Sequence, residues 1–245
     1  MLNKKLENIL LISISFLLIF FFFYGFITNE NAAGGGLLSG DFVSIWGNLQ
    51  IFLNNNLNAA ISHPEYMDSR SPISYIIFKY LNPFVNDSLS FRISVLIISC
   101  SLPVVFFLAI KKRFIKTNYL LLLFISCIVL ISPFFRTSSY WGLQENYGLI
   151  FLVLTFISIY NYEKNIDNQS NKFISIFVIC LLSSLTFYFD QKLLIIPIIC
   201  FFKIILKSNK VYEKLSVVFL YFIFSLPYIY FMILWEGIVP AKAGS

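Results

Sequence analysis

The chain reads as an all-α, polytopic integral membrane protein of about seven transmembrane helices, with a long first external loop carrying interfacial amphipathic helices. Three observations predict this. The sequence is 58% hydrophobic and 12% charged, with 29 phenylalanines in 245 residues and a mean hydropathy of +0.81; soluble domains carry about a quarter charged residues. Apolar runs recur at lengths near the ~20 residues that a helix needs to cross a bilayer. The basic residues fall in short clusters between those runs. That pattern signals topology rather than a nucleic-acid partner, despite a net charge of +6.

In order, the expected spans are 9–27, 89–110, 119–134, 147–162, 173–189, 193–206 and 215–235, in one transmembrane domain over 1–245. The first run is longer than a signal-peptide core, and Asn31-Ala32-Ala33 is a poor cleavage site, so it reads as an uncleaved helix. Residues 28–88 form the long loop. Within it, Phe42, Ile45, Trp46, Leu49 and Phe52 or Leu53 recur at helical spacing, which predicts a short amphipathic helix on the membrane surface. The piece from Ile73 to Phe84 is too short to span and reads as interfacial or re-entrant. The segment RTSSYWGLQEN reads as a short polar loop, and Asp190-Gln191-Lys192 as a tight polar turn.

Alternating the sides puts twelve basic residues with the amino terminus (Lys4, Lys5, Lys111, Lys112, Arg113, Lys116, Lys164, Lys172, Lys203, Lys207, Lys210, Lys214) and six opposite (Arg70, Lys79, Arg92, Arg136, Lys192, Lys242). The acids split the other way, with Glu7, Glu163, Asp167 and Glu213 on the first side and the other eight on the second. The positive-inside rule then predicts a cytoplasmic amino terminus and an external long loop. Cys100, Cys127, Cys180 and Cys200 all fall in apolar runs and read as buried small residues rather than disulfides or zinc ligands.

Three groups of residues carry potential chemistry. Asp41 follows Ser39-Gly40 and stands at the start of the amphipathic helix. It reads either as the N-cap of that helix or as a general base. His63, Glu65, Asp68 and Arg70 lie between Pro64 and Pro72 or just before them. They read as a solvated loop with local pairing, or as binding residues, and His63 with Glu65 and Asp68 is a weak candidate metal set. Arg136, Trp141, Glu145, Asp190 and Lys192 share the external side. They read as snorkelling charges, or as a site where cations meet a phosphate.

The layout of one span, a long external loop with an early acid, an amphipathic helix, and Arg70-Ser71-Pro72 before a second interfacial segment resembles the GT-C membrane glycosyltransferases. That group includes protein O-mannosyltransferases and the aminoarabinose transferase of lipid A. The resemblance covers nearly the whole chain as layout more than as motif. Asp41 lacks the second, neighbouring acid that the family commonly has. The chain also stops after seven spans, as a fragment of a longer protein or a minimal version would. The resemblance implies transfer of a sugar from a polyprenyl-phosphate donor to a glycan, lipid or protein acceptor, with inversion, at the outer face of a bacterial inner (plasma) membrane. Asp41 would be the catalytic base, with Glu65, Asp68, Arg70, Arg136, Glu145, Asp190 and Lys192 binding substrate. No cofactor is firmly implied, and a divalent metal is left open. A transporter or lipid flippase, or a polysaccharide polymerase, are the rival classes; the scarcity of ionisable residues at span centres speaks against a transporter.

Overall fold

A computed structural model of the chain describes residues 4–34, 40–164, 169–208 and 210–240. Ser39, Asp167 and Lys242, which enter the sequence reading, lie outside them. Among the described residues all regular structure is helical: α1 (Lys4–Ile27), α2 (Asp41–Asn54), α3 (Leu57–Ile61), α4 (Ile73–Leu81), α5 (Ser88–Ser99), α6 (Ser101–Arg113), α7 (Tyr119–Cys127), α8 (Pro133–Trp141), α9 (Glu145–Lys164), α10 (Gln169–Phe189), α11 (Ile195–Lys207) and α12 (Val211–Trp235). Short 3-10 helices, Ile128–Ile131 and Gln191–Leu194, follow α7 and precede α11.

Among the described residues four stretches are long and apolar enough to cross a membrane: Lys4–Ile27, Ser88–Arg113, Lys172–Phe189 and Val211–Trp235. A fifth exists if Tyr119–Ile131 and Pro133–Trp141, bent by 69°, count as one broken span. The expected spans 147–162 and 193–206 are helical but are not among these. For α11 the reason is length, and for α9 it is the polarity of its ends. α11 has 13 residues, about 20 Å at 1.5 Å per residue, against a hydrocarbon core of about 30 Å. α9 begins Glu145-Asn146 and ends Glu163-Lys164, which shortens its apolar middle.

The chain divides into two compact units: unit 1 is Met1–Val43 with Asn86–Asn146, and unit 2 is Ser44–Val85 with Tyr147–Ser245. In unit 1, α7 packs on α1 and α6, and α5 packs on α8. Asp87 caps α5, accepting from the amides of Leu89 and Ser90 at 3.0 and 2.9 Å. The bonds from Ser90 hold its carboxyl below the usual range. Pro133 opens α8 at a position where its missing N–H costs nothing.

The segment expected as a polar loop, 136–146, is therefore mostly helix, and Thr137, Ser138, Ser139, Tyr140 and Trp141 are buried. Its polar groups bond inward. Asn146 Nδ2 donates to Ser139 Oγ (2.8 Å), Ser99 Oγ (3.2 Å) and the Phe135 carbonyl (3.2 Å). Gly142 ends α8 in the left-handed region (φ 76°), and a Cβ there would stand 2.8 Å from the Phe91 ring.

In unit 2, α10, α11 and α12 pack on one another. Ile159, Ile176, Ile179, Ile204 and Val217 are central to their core. The amphipathic helix is present as α2, but Ile45, Leu49 and Phe52 are buried in protein rather than laid on lipid. Phe52 stacks on Tyr75 (5.4 Å between centroids) and meets Tyr66 edge-on (5.5 Å). Lys79 of α4 donates to the Phe52 and Asn55 carbonyls. Its charge thus sits on the carbonyl end of α2, where the helix dipole favours a cation. Asn58 and Ile61 of α3 are tied to α12 through Tyr230 and Trp235.

Pro227 lies inside α12 and cannot donate to the preceding turn. Tyr188 of α10 fills the break. Its hydroxyl donates to the Phe224 carbonyl (2.6 Å) and accepts from the Tyr228 amide (3.2 Å). The side chain stands between two groups that an unbroken helix would bond to each other.

Candidate functional site

Unit 1 holds Asp41, Arg136 and Glu145 of the expected site residues; unit 2 holds His63, Glu65, Asp68, Arg70, Asp190 and Lys192.

Asp41 is the first residue of α2, not the residue before it. Its side chain is exposed, and its carboxylate makes no hydrogen bond or ion pair among the described residues. The N-cap role read from the sequence therefore passes to Gly40, whose carbonyl accepts from the Val43 amide (3.1 Å).

Arg136 is enclosed in a polar knot at the end of α1. Its guanidinium pairs with Glu30 and donates to the Phe21 carbonyl (2.9 Å) and the Tyr140 hydroxyl (3.1 Å). Tyr140 in turn donates to the Phe22 carbonyl, and Trp141 Nε1 to the Glu30 carbonyl (2.9 Å). Gly25 leaves room for this pair: a Cβ there would crowd Arg136 Nη2, Glu30 Oε2 and the Tyr140 hydroxyl.

Arg92, buried beside this knot, donates to the Tyr140 carbonyl (2.7 Å) and Asn29 Oδ1 (2.9 Å), and lies 3.8 Å over the Trp141 ring. Glu30, Arg92 and Tyr140 were not singled out from the sequence. An arginine inside an apolar span was the available signal. Glu145 opens α9, partly buried.

In unit 2 the 63–72 loop is bonded to itself and to α2 and α4. Asp68 accepts from the Arg70 amide (2.9 Å) and from the Tyr75 hydroxyl. Asn48 Oδ1 accepts from the Met67 amide (3.3 Å). Burial, and then the Asp68 carboxylate, push the Tyr66 and Tyr75 phenols well up, so both remain protonated donors. His63 Nδ1 accepts from the Glu65 amide (3.2 Å). Among the described residues no three His, Cys, Asp or Glu side chains form a metal-holding group, so His63, Glu65 and Asp68 do not converge as such a set.

The loop and the 190–192 turn meet. Gln191 Nε2 donates to the Ser69 carbonyl (2.8 Å) and to the Tyr228 hydroxyl (3.3 Å). Asp190 caps the 3-10 helix, accepting from the Lys192 amide (3.0 Å). Gly148 of α9 packs against this turn, where a Cβ would stand 3.1 Å from Asp190 Cβ. The Lys192 ammonium is exposed and has no partner among the described residues, and the same holds for the Glu65 carboxylate.

Below the turn lies an apolar groove of about 410 Å³ between α10, α11 and α12, with Tyr188, Leu194, Pro197, Phe201, Phe224 and Tyr228 in its walls. Leu194, two residues past Lys192, and Tyr228, bonded to Gln191, bring the turn beside the groove.

The arrangement in unit 2 is thus an apolar groove whose wall residue Leu194 follows the exposed Lys192 by two positions and whose wall residue Tyr228 bonds Gln191 of the same turn. No protein family, curated protein or solved structure matches the chain.

Proposed function

We propose that the chain is a membrane glycosyltransferase that takes a sugar from a polyprenyl-phosphate donor. The observation that carries this reading is the apolar groove of unit 2 beside the Asp190–Lys192 turn, which Gln191 ties to the Ser69 carbonyl. A groove with almost no polar wall suits a prenyl chain, and a cation beside it suits the phosphate attached to that chain. The acceptor hydroxyl or amine attacks the anomeric carbon from the face opposite the phosphate. The bond from that carbon to the phosphate oxygen breaks, and the electron pair leaves with the lipid phosphate. Lys192 neutralises the charge that develops there. Within the same unit, Glu65, an exposed carboxylate with no partner among the described residues, takes the acceptor's proton. Arg136 and Asp68 are bound up in structural contacts and are left out of the mechanism.

The test is transfer by the purified chain in lipid nanodiscs, supplied with polyprenyl-phosphate sugars and envelope acceptors. Wild type yields a glycosylated product. Glu65→Gln lowers the rate about a hundredfold or more, with the thermal transition within a few degrees of wild type. A fully active Glu65→Gln removes that residue from the chemistry. Movement of the donor lipid between leaflets without any product replaces the transferase with a flippase.

A further inference from the structure

Cations beside an apolar groove, with no part in the proposed reaction, also occur in unit 1. α6 ends in Lys111-Lys112-Arg113, and Lys116 follows in the turn to α7. Asn118 Nδ2 donates to Asn8 Oδ1 (3.0 Å), which brings the first turns of α1, with Lys4 and Lys5, to the same end. Six cations thus collect there with a single acid, Glu7, and all seven residues are exposed. Between the cations the turn presents two large apolar side chains to the outside, Phe114 (54% exposed) and Ile115 (75% exposed). Its backbone is closed by the Phe114 and Thr117 amides, which donate to the carbonyls of Ile110 (2.8 Å) and Phe114 (3.1 Å).

Directly beside the cations begins a second apolar groove, of about 330 Å³, between α1, α6 and α7. Phe22, Val104, Phe107, Leu123, Cys127 and Leu130 are in its walls. The Lys111 ammonium lies 5.8 Å over the ring of Phe107, a residue of the groove wall.

We infer that this end of unit 1 binds an anionic phospholipid, with its headgroup on Lys111, Lys112, Arg113 and Lys116 and one acyl chain in the groove that starts at Phe107. Three features favour a lipid over a soluble polyanion. The cations directly follow Ser88–Arg113, a helix apolar enough to span. Phe114 and Ile115 are placed to enter the boundary between headgroups and chains. The groove offers apolar wall that a nucleic acid or inorganic phosphate has no group to fill. A run of four or more Lys or Arg at the end of a membrane helix attracts anionic headgroups by charge alone, and the groove adds selectivity for a diacyl lipid over a bare headgroup. The inference is independent of the proposed transfer reaction, which rests on unit 2.

The test is native mass spectrometry of the full chain in detergent, titrated with phosphatidylglycerol, with phosphatidylcholine of the same chains, and with glycerophosphoglycerol, the headgroup alone. The first should bind well ahead of the other two. The triple variant Lys111→Gln, Lys112→Gln, Arg113→Gln should lose phosphatidylglycerol affinity by about a hundredfold, the scale expected for three headgroup contacts. Val104→Trp, which fills the groove and leaves the cations in place, should weaken the diacyl lipid and leave the weak headgroup binding unchanged. Both variants are first checked for a wild-type thermal transition; if the triple variant fails to fold, Lys116→Gln and Val104→Trp carry the test.

Equal binding of phosphatidylglycerol and phosphatidylcholine by wild type overturns the inference. So does a charge-neutralised, folded variant with undiminished affinity. An RNA oligonucleotide that binds more tightly than the lipid reassigns the cations to nucleic acid.

Discussion

Arg136 in unit 1 and Lys192 in unit 2 look alike in the sequence. Each is a lone cation near the end of an apolar run, close to tyrosines and on the expected external side. In the structure they differ in every respect that matters chemically. Arg136 is surrounded by Glu30, Tyr140 and a helix carbonyl, and its charge is satisfied within the protein. Lys192 shares its turn with Asp190, but Asp190 spends its side chain on the Lys192 backbone amide, and the ammonium is left exposed in a turn next to the groove residue Leu194. A cation that holds the fold together has its partners built in. A cation that binds a ligand has a vacancy for them. The predictions below press on that difference.

The largest expected effect is on stability at Arg136. Arg136→Gln leaves Glu30 without its counter-charge and strips the Phe21 carbonyl and Tyr140 of a donor, at a cost of about 2–3 kcal/mol. Thermal unfolding in detergent measures it. Lys192→Gln, by contrast, should change stability by less than about 0.5 kcal/mol, as for a surface substitution without partners. Equal losses at the two positions would erase the distinction between them.

An intermediate effect is expected at Tyr188. Tyr188→Phe removes the hydroxyl from the Pro227 break and leaves the Phe224 carbonyl and Tyr228 amide without their bridge, at about 1–2 kcal/mol. Amide hydrogen exchange should quicken at Tyr228 before it does so elsewhere in α12. Unchanged exchange there would mean that the bridge does not hold the broken helix.

The smallest effect is a pH dependence in unit 2. Lys207 and Lys203 both donate to Glu163 Oε1, at 2.8 and 2.9 Å, and hold its carboxyl below the ordinary value. A carboxyl whose folded value is depressed stabilises above its unfolded value, near 4.5. That contribution is lost as pH falls through the folded value. The pairs are a third or more exposed, so the whole effect is under about 1 kcal/mol. The thermal transition should therefore drop slightly in mild acid, and Glu163→Gln should remove that part of the drop. A wild-type profile identical to that of Glu163→Gln would show the pairs to be energetically silent.

Periodicity and composition were enough to find much of the helical plan. The apolar spacing from Phe42 to Phe52 located α2, and the long runs located α1, α5–α6, α10 and α12. Two things were hidden. Which surface an amphipathic face meets is not written in its period, so α2 read as lying on lipid although Ile45, Leu49 and Phe52 are buried in protein. Polarity is also a poor guide to exposure where polar groups bond inward. RTSSYWGLQEN read as a loop because it is polar, yet Ser139 and Asn146 bond each other within buried helices.

At the candidate site, the 63–72 loop and the 190–192 turn were each visible, but their meeting depends on the bond from Gln191 to the Ser69 carbonyl, 122 residues apart. Glu30 was passed over because nothing local marks it; its importance comes from Arg136, far along the chain.

The central claim is that the unit 2 groove holds a lipid chain whose phosphate rests on Lys192. The most direct measurement compares the affinity of the purified chain for a polyprenyl phosphate and for the corresponding polyprenol, in wild type and in Lys192→Gln. The account predicts that wild type prefers the phosphate about tenfold or more, as a charge-assisted contact should. It also predicts that Lys192→Gln loses most of that preference while still binding the alcohol. Equal affinity of wild type for phosphate and alcohol, or a preference that survives in Lys192→Gln, would contradict it.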